Sequence, residues 1–208
     1  MKKLLLFPLI ALAISCSSPS EKTSEVAELP ILGERYVDDN QDTVYHSIAD
    51  FAFVNQLGDT IRKEDMAGKI YVADFFFTTC PTICPIMKKE MLRVYEQFKG
   101  EGNFRILSHS IDPTHDTQAV LKDYAEKLGV PDAATWNFLT GDQEKIFEIG
   151  QTSYLTTTMA DELEPGGFLH SGAFVLVDQQ GRIRGVYDGT KTDQVDRLLA
   201  DIPKLLKP

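Results

Sequence analysis

The sequence predicts an α/β sandwich in which helices flank a mixed central β-sheet, preceded by an N-terminal β-hairpin extension. Three observations carry this prediction. An apolar, β-prone run is followed by apolar residues at helical spacing, this strand-then-helix order repeats, and a hairpin signal then precedes a last helix. Strands joined through helices run parallel, whereas a hairpin adds an antiparallel strand, so the sheet should contain both kinds of pair.

The first half of the predicted domain contains a hairpin, a strand and a helix. Residues 52–61 form an extended run interrupted at Gly58, which predicts the N-terminal hairpin. Residues 69–77 are strongly apolar and rich in β-formers, as expected for a central strand buried on both faces. Residues 87–98 carry apolar side chains at helical spacing and stop before Gly100, which predicts a helix.

The strand-then-helix order continues in the middle of the chain. Residues 104–111 predict a strand, and residues 117–128 predict an amphipathic helix. Residues 136–139 predict a short strand. Residues 142–150 predict another helix, for which Asp142 is a candidate N-cap because its side chain can accept a hydrogen bond from the first turn.

The C-terminal part predicts a hairpin and a closing helix. Residues 172–178 and 182–187 are β-prone runs that flank a short Gln-Gln-Gly turn. Residues 192–199 then predict the last helix. This order of elements is that of the thioredoxin-like fold, which is therefore the predicted fold class.

Length and charge restrict the classes of function. A chain of 208 residues has room for one ordinary domain and a tail, and not for two independent cores. The net charge of −10 has the wrong sign for binding to a phosphate backbone. We therefore expect no nucleic-acid partner.

The N-terminus has the features of an export signal. Lys2 and Lys3 precede an apolar run over residues 4–14, which is too short to cross a hydrocarbon core of about 30 Å as a helix. Small residues lead to Cys16, and this arrangement resembles the lipobox of bacterial lipoproteins. Acylation of Cys16 would anchor the mature chain to a membrane, with the domain in the periplasm of the bacterial cell envelope. An ordinary signal peptide, with Cys16 as a bystander, is the alternative.

Cys80 and Cys84 lie directly after the predicted central strand, at the start of a predicted helix. The amide dipoles at a helix N-terminus favour a thiolate over a thiol. Side chains at positions i and i+4 lie about 5–6 Å apart, which permits either a disulfide or two sulfur ligands on one metal ion. Spacing alone does not choose between these uses. A disulfide closing so short a loop would add little stability, which favours a functional pair over a structural one.

His170 is the third candidate residue. It stands just before the C-terminal hairpin, in a region that faces the redox motif in the thioredoxin-like order and where thioredoxins usually carry a cis-proline. Two thiolates and one imidazole form a soft three-coordinate site suited to Cu(I), or to Cu(II) with a further ligand.

Several other residues near these motifs have ordinary structural explanations. Asp116 could cap the helix that starts at Thr117, and Asp112 could fix an Asp-Pro turn. Met87 has the helical spacing of a core residue rather than of a copper ligand. We therefore leave these residues out of the predicted site.

Taken together, three sequence segments resemble the Sco/SenC family: residues 76–85, the Ser-Ile-Asp-Pro segment at 110–113 with Asp116 and Thr117, and His170 with Ser171. The resemblance implies a thioredoxin-like copper protein that helps assemble the binuclear copper centre of cytochrome c oxidase. It also implies Cys80, Cys84 and His170 as copper ligands. The implied partners are the copper-bearing oxidase subunit and a copper donor protein or thiol reductant.

Two other functions use the same cysteines. A thiol–disulfide oxidoreductase would attack through Cys80 and resolve through Cys84, but it gains nothing obvious from His170. A thiol peroxidase needs an Arg beside its cysteine, and no basic residue lies between Thr78 and Met87. We therefore expect a copper carrier rather than an enzyme, with the oxidoreductase as the open alternative.

The expected domain organisation follows from these predictions. Residues 1–15 would be the lipoprotein signal peptide, and residues 16–36 would comprise the lipidated cysteine and a flexible linker. Residues 37–208 would form the thioredoxin-like copper-binding domain.

Overall fold

The computed structural model describes residues 28–130 and 132–206. The strands are β1 Arg35–Val37, β2 Thr43–Tyr45, β3 Ala52–Val54, β4 Thr60–Arg62, β5 Ile70–Phe76, β6 Phe104–Ser110, β7 Trp136–Leu139, β8 Thr158–Ala160, β9 Phe168–His170, β10 Ala173–Val177 and β11 Ile183–Asp188. The helices are α1 Cys84–Phe98, α2 Gln118–Lys127, α3 Gln143–Glu148 and α4 Thr192–Leu206.

A five-stranded mixed sheet forms the centre of the fold. Its strand order is β11-β10-β5-β6-β7, with β5, β6 and β7 parallel and β10 antiparallel to both of its neighbours. Every residue of β5 is buried, as the apolar run predicted. Helix α2 contacts β7, α4 contacts β11, and α1 contacts α4. The predicted fold class of a mixed sheet flanked by helices is confirmed.

Two helices begin at side-chain caps. The Thr117 hydroxyl accepts a hydrogen bond from the backbone N–H of Val120 at the start of α2. Asp142 accepts one from Lys145 N–H at 3.0 Å at the start of α3, as predicted. The expectation that Asp116 caps α2 is wrong, because Thr117 occupies that position and the Asp116 carboxylate bonds elsewhere.

Helix α4 is longer than the sequence predicted. The expected end was residue 199, but the helix continues to Leu206 and contains Pro203. Val195, Leu198, Ile202 and Leu205 recur at helical spacing and are all buried. Burial of this stripe stabilises the last turns despite the backbone hydrogen bond that proline cannot donate.

The structured domain begins before residue 37, which corrects the expected boundary of the linker. The backbone N–H of Leu32 donates to the carbonyl of Ile183 at 2.9 Å, and the Arg184 guanidinium donates to the carbonyls of Leu29 and Pro30. These contacts attach the segment to strand β11. The predicted signal peptide and Cys16 lie outside the described residues.

Two short hairpins lie outside the central sheet and were not predicted. Strand β1 pairs with β2, and β8 pairs with β9. The β8–β9 hairpin places Thr158 opposite His170. Strands of three residues carry too few side chains for a period-two pattern to stand out. Within the described part of the chain, no helix combines the length and apolar character needed to cross a membrane.

Candidate metal centre

The two cysteines lie where the central strand β5 gives way to helix α1. A turn follows the strand, in which the backbone N–H of Cys80 donates to the carbonyl of Phe77 at 3.2 Å. Helix α1 then begins at Cys84, with Pro85 in its first turn, where a missing N–H has no intrahelical partner to lose. Both thiols are nearly inaccessible, with 7% of Cys80 and 6% of Cys84 exposed.

His170 ends strand β9 and reaches the same point from the other side. Its Nε2 lies 3.8 Å from Cys80 Sγ and 3.5 Å from Cys84 Sγ. The three candidate ligand atoms all lie within 4.8 Å of one another, and all three residues are buried. Residues far apart in the sequence therefore form one compact cluster of two sulfurs and one nitrogen.

Aromatic packing and a close backbone approach hold the histidine side of the cluster. The Phe77 ring meets the His170 ring edge-on, with centroids 5.7 Å apart. The Phe168 ring also packs against Phe77, at a centroid distance of 5.3 Å. Gly166 in the β8–β9 turn has φ +93°, and a Cβ there would lie 2.7 Å from the Phe77 ring. Glycine is thus required at this position both for its backbone conformation and for its close approach to the ring.

The surroundings give the two thiols different acidities. Burial raises the pKa of Cys80, but hydrogen bonds from the backbone of Cys84 and Thr82 and from the Thr82 hydroxyl outweigh it, so the net pKa is lowered. Burial raises the pKa of Cys84 well above its ordinary value, and the adjacent Cys80 thiol raises it further. Before any metal binds, Cys80 is therefore the thiol that ionises first.

The imidazole is held in the neutral form that a metal requires. Burial lowers the pKa of His170 below its ordinary value. Its Nε2 faces the two sulfurs, while Nδ1 is buried and finds no hydrogen-bond partner among the described residues. Neutral imidazole is a metal ligand, whereas imidazolium is not.

This donor set fits a soft metal ion. Two thiolates and one imidazole suit Cu(I), which accepts three soft ligands, and a further ligand would adapt the site to Cu(II). Metal binding and a Cys80–Cys84 disulfide exclude each other, because the disulfide uses both sulfurs.

A buried carboxyl group that the sequence reasoning missed lies beside the site. Asp74 on β5 accepts a hydrogen bond from Ser108 of β6, and burial raises the pKa of Asp74 to about 7. Asp74 and Cys84 line one small cavity together with Lys88 and Tyr124. An acidic residue within an apolar run was the available signal, since burial of an unpaired carboxyl is costly.

Three other potential metal ligands, Met87, His109 and Asp116, lie outside the cluster. Met87 is 2% exposed and belongs to the hydrophobic core, as predicted from its helical spacing. His109 is buried in an aromatic cage and takes no part in the cluster. Asp116 is buried and accepts hydrogen bonds from Thr78 and Ser110. Nothing in the local sequence around Asp116 indicates that Thr78 would be its donor.

Comparison with known proteins gives one family. The family model SCO1/SenC matches residues 39–207. The SCO1 protein homolog of Bacillus subtilis is 32% identical over 164 residues, covering 78% of this chain and 84% of that protein. A candidate copper-binding protein of Stutzerimonas stutzeri is 28% identical over 198 residues, covering 93% of each.

Solved structures agree with these sequence matches. The crystal structure of a SCO1/SenC family lipoprotein from Bacillus anthracis superposes with a TM-score of 0.70 at 31% identity, covering 78% of this chain and 96% of that one. The structure of BsSco, described as a member of the Sco family of cytochrome c oxidase assembly proteins with a disulfide switch, gives 0.68 at 31% identity, covering 78% and 94%.

Proposed function

The chain belongs to the SCO1/SenC family, and from that premise we propose that it binds copper at Cys80, Cys84 and His170 and serves cytochrome c oxidase assembly. It delivers copper to the oxidase, or prepares the oxidase copper site to receive it. The observation that carries this proposal is the convergence of two thiols and one imidazole within 4.8 Å. The description of BsSco as a cytochrome c oxidase assembly protein supports the choice of partner.

The geometry supports a carrier rather than a permanent metal site. The three donors leave room in the coordination sphere for an incoming ligand from an acceptor protein. Copper then moves by stepwise ligand exchange, in which each thiolate released here is replaced by a ligand of the acceptor. A copper-bearing subunit of the oxidase is the proposed acceptor, and a copper-donating protein or a thiol reductant is the proposed partner upstream.

Copper titration of the reduced full-length chain tests this proposal. We expect one Cu(I) per chain, loss of tight binding in Cys80→Ser and Cys84→Ser, and weaker binding in His170→Ala. His115→Ala is the matched control, because His115 is exposed and lies outside the cluster. Wild-type affinity in His170→Ala would remove the imidazole from the site, and the absence of copper binding in the reduced wild type would overturn the proposal.

A thiol–disulfide oxidoreductase is the second candidate. The two free sulfurs lie within 4.8 Å of each other, so the pair can close to a disulfide with little movement, and the disulfide switch of BsSco favours this use. Reduction of a disulfide-bonded peptide by the dithiol form measures the activity. His170→Ala separates the two functions, because it keeps both thiols. Loss of copper affinity with retained peptide reduction assigns the histidine to metal binding.

We also propose that Cys16 carries a lipid anchor that holds the domain in the periplasm at a membrane surface. The basic residues, the short apolar run and the small residues before Cys16 support this assignment. The lipoprotein from Bacillus anthracis, with its TM-score of 0.70, supports it further.

A further inference from the structure

Asp116 is a fully buried acid with an unusual set of partners. Asp116 is 0% exposed to solvent, and it forms no salt bridge with any Lys or Arg among the described residues. Three donors face its two carboxylate oxygens: the Thr78 N–H at 3.0 Å, the Thr78 hydroxyl, and the Ser110 hydroxyl at 2.6 Å. A buried carboxylate without a cation is costly, so these three bonds compensate for its lost hydration.

These bonds connect two segments that are distant in the sequence. Asp116 lies in the connection between β6 and α2, whereas Thr78 lies in the turn between β5 and α1. That turn is closed by the Cys80 N–H bond to Phe77, so Thr78 is its second residue. The helix α2 is capped by Thr117, and the carboxylate of Asp116 is therefore free to act on the cysteine turn.

We propose that Asp116 is a positioning residue for Cys80, an inference that rests on the proposed copper site. By fixing the backbone and hydroxyl of Thr78, Asp116 holds the turn that aims the Cys80 sulfur at Cys84 and His170. The ligands are thus arranged before copper binds. Copper binding therefore does not have to order the turn, and its affinity is not reduced by that entropic cost.

The bond pattern predicts which substitutions are tolerated. Asp116→Asn keeps the geometry, because the amide oxygen can accept from the Thr78 N–H and the Ser110 hydroxyl while the NH₂ donates to the Thr78 hydroxyl oxygen. Asp116→Ala removes the acceptor of the half-buried Thr78 N–H and frees the turn. Thr78→Val removes the hydroxyl bond alone and keeps the backbone bond.

The experiment compares these variants in the full-length chain. Cu(I) affinity and the Cu(II)–thiolate absorption band are measured, with Asp142→Ala as the control because it removes a helix cap away from the cysteine turn. We expect Asp116→Ala to lose affinity about tenfold and to shift the band, Thr78→Val about threefold, and Asp116→Asn and Asp142→Ala less than about twofold. Wild-type affinity and spectrum in Asp116→Ala would overturn the proposal. If Asp116→Ala does not fold, Thr78→Val decides, and wild-type behaviour of that variant overturns it.

A metal-independent measurement separates this inference from the proposed function. The equilibrium between the Cys80–Cys84 dithiol and disulfide is measured against reduced and oxidised glutathione. A freed turn lowers the effective concentration of one sulfur at the other, so the disulfide equilibrium constant should fall at least about threefold in Asp116→Ala but not in Asp142→Ala. A wild type that fails to bind copper would overturn the proposed function, while an unchanged equilibrium constant would overturn the role of Asp116.

Discussion

Phe75 on strand β5 stacks on His109 of the neighbouring strand β6, with ring centroids 5.1 Å apart and planes inclined by 18°. Phe53 and Tyr154 close the cage at 5.5 Å each. The imidazole is 0% exposed, and neither of its nitrogens has a hydrogen-bond partner among the described residues. His109 therefore behaves as a neutral aromatic residue of the core, although it can titrate in the unfolded chain.

Burial lowers the pKa of His109 to about 3, and this predicts acid sensitivity of the fold. The unfolded chain takes up a proton near pH 6.5 while the folded chain does not, so the stability that neutral His109 contributes is lost as the pH falls from about 6.5 towards 3. The substitution His109→Phe removes the group that takes up this proton in the unfolded chain. We expect the free energy of unfolding of His109→Phe minus that of wild type to be about 2 kcal/mol larger at pH 5 than at pH 8.

Denaturant unfolding at the two pH values measures this difference. His115→Phe is the control, because His115 is exposed and lies outside the aromatic cage. A constant gap between His109→Phe and wild type from pH 8 to pH 5 would show that His109 does not couple to folding.

Asp74 should act on stability in the opposite direction. Because burial raises its pKa to about 7, the folded chain keeps a proton that the unfolded chain loses above about pH 4. Stability therefore falls as the pH rises through this window, and it levels off above about pH 7. The free energy of unfolding of Asp74→Asn, taken relative to wild type, should increase by about 2.5 kcal/mol from pH 5 to pH 8, since the amide does not titrate and its oxygen still accepts from Ser108. The exposed Asp39→Asn variant is the control, and an equal gain at both pH values would contradict the prediction.

Cys16→Ser should change where the protein is found without changing its fold. We expect the wild type to fractionate with membranes, and the variant either to remain unprocessed or to appear in the soluble fraction. Membrane fractionation with immunodetection measures this, and Ser18→Ala serves as the control. Variant protein that stays on the membrane after normal cleavage would show that Cys16 carries no anchor.

A strain without this protein should lose cytochrome c oxidase activity when copper is scarce and regain part of it when copper is added. Added copper can compensate for the loss of a copper carrier by mass action. The loss of a reductant would instead be compensated by a small thiol. Oxidase activity in both media measures the difference, with complementation by the wild type as the control. Restoration by the thiol alone would assign the protein to the oxidoreductases. A His170→Ala strain with wild-type oxidase activity in low copper would also point to thiol chemistry rather than copper carriage.

The order of elements could be predicted because its signals are local. The buried strand β5 and the helix that follows it appear as an apolar run and then as apolar residues at helical spacing. The cap at Asp142 also lies within one turn of the helix it starts. The hairpin of β8 and β9 escaped prediction, since its strands are three residues long and its Phe168 packs on Phe77, a residue distant in the sequence.

Local sequence indicated the sulfurs of Cys80 and Cys84 at a helix start as potential metal ligands, whereas the imidazole of His170 was indicated by its place in the predicted order of elements. Their meeting depends on the tertiary structure. Strand β10 pairs antiparallel with β5, so the residues just before β10 lie beside the end of β5 where the cysteine turn begins. The bond from Thr78 to Asp116, in place of a cap on helix α2, is likewise a product of the folded chain. Contacts between residues far apart in the chain depend on strand order and register, and the local periodicity of the sequence indicates neither of them.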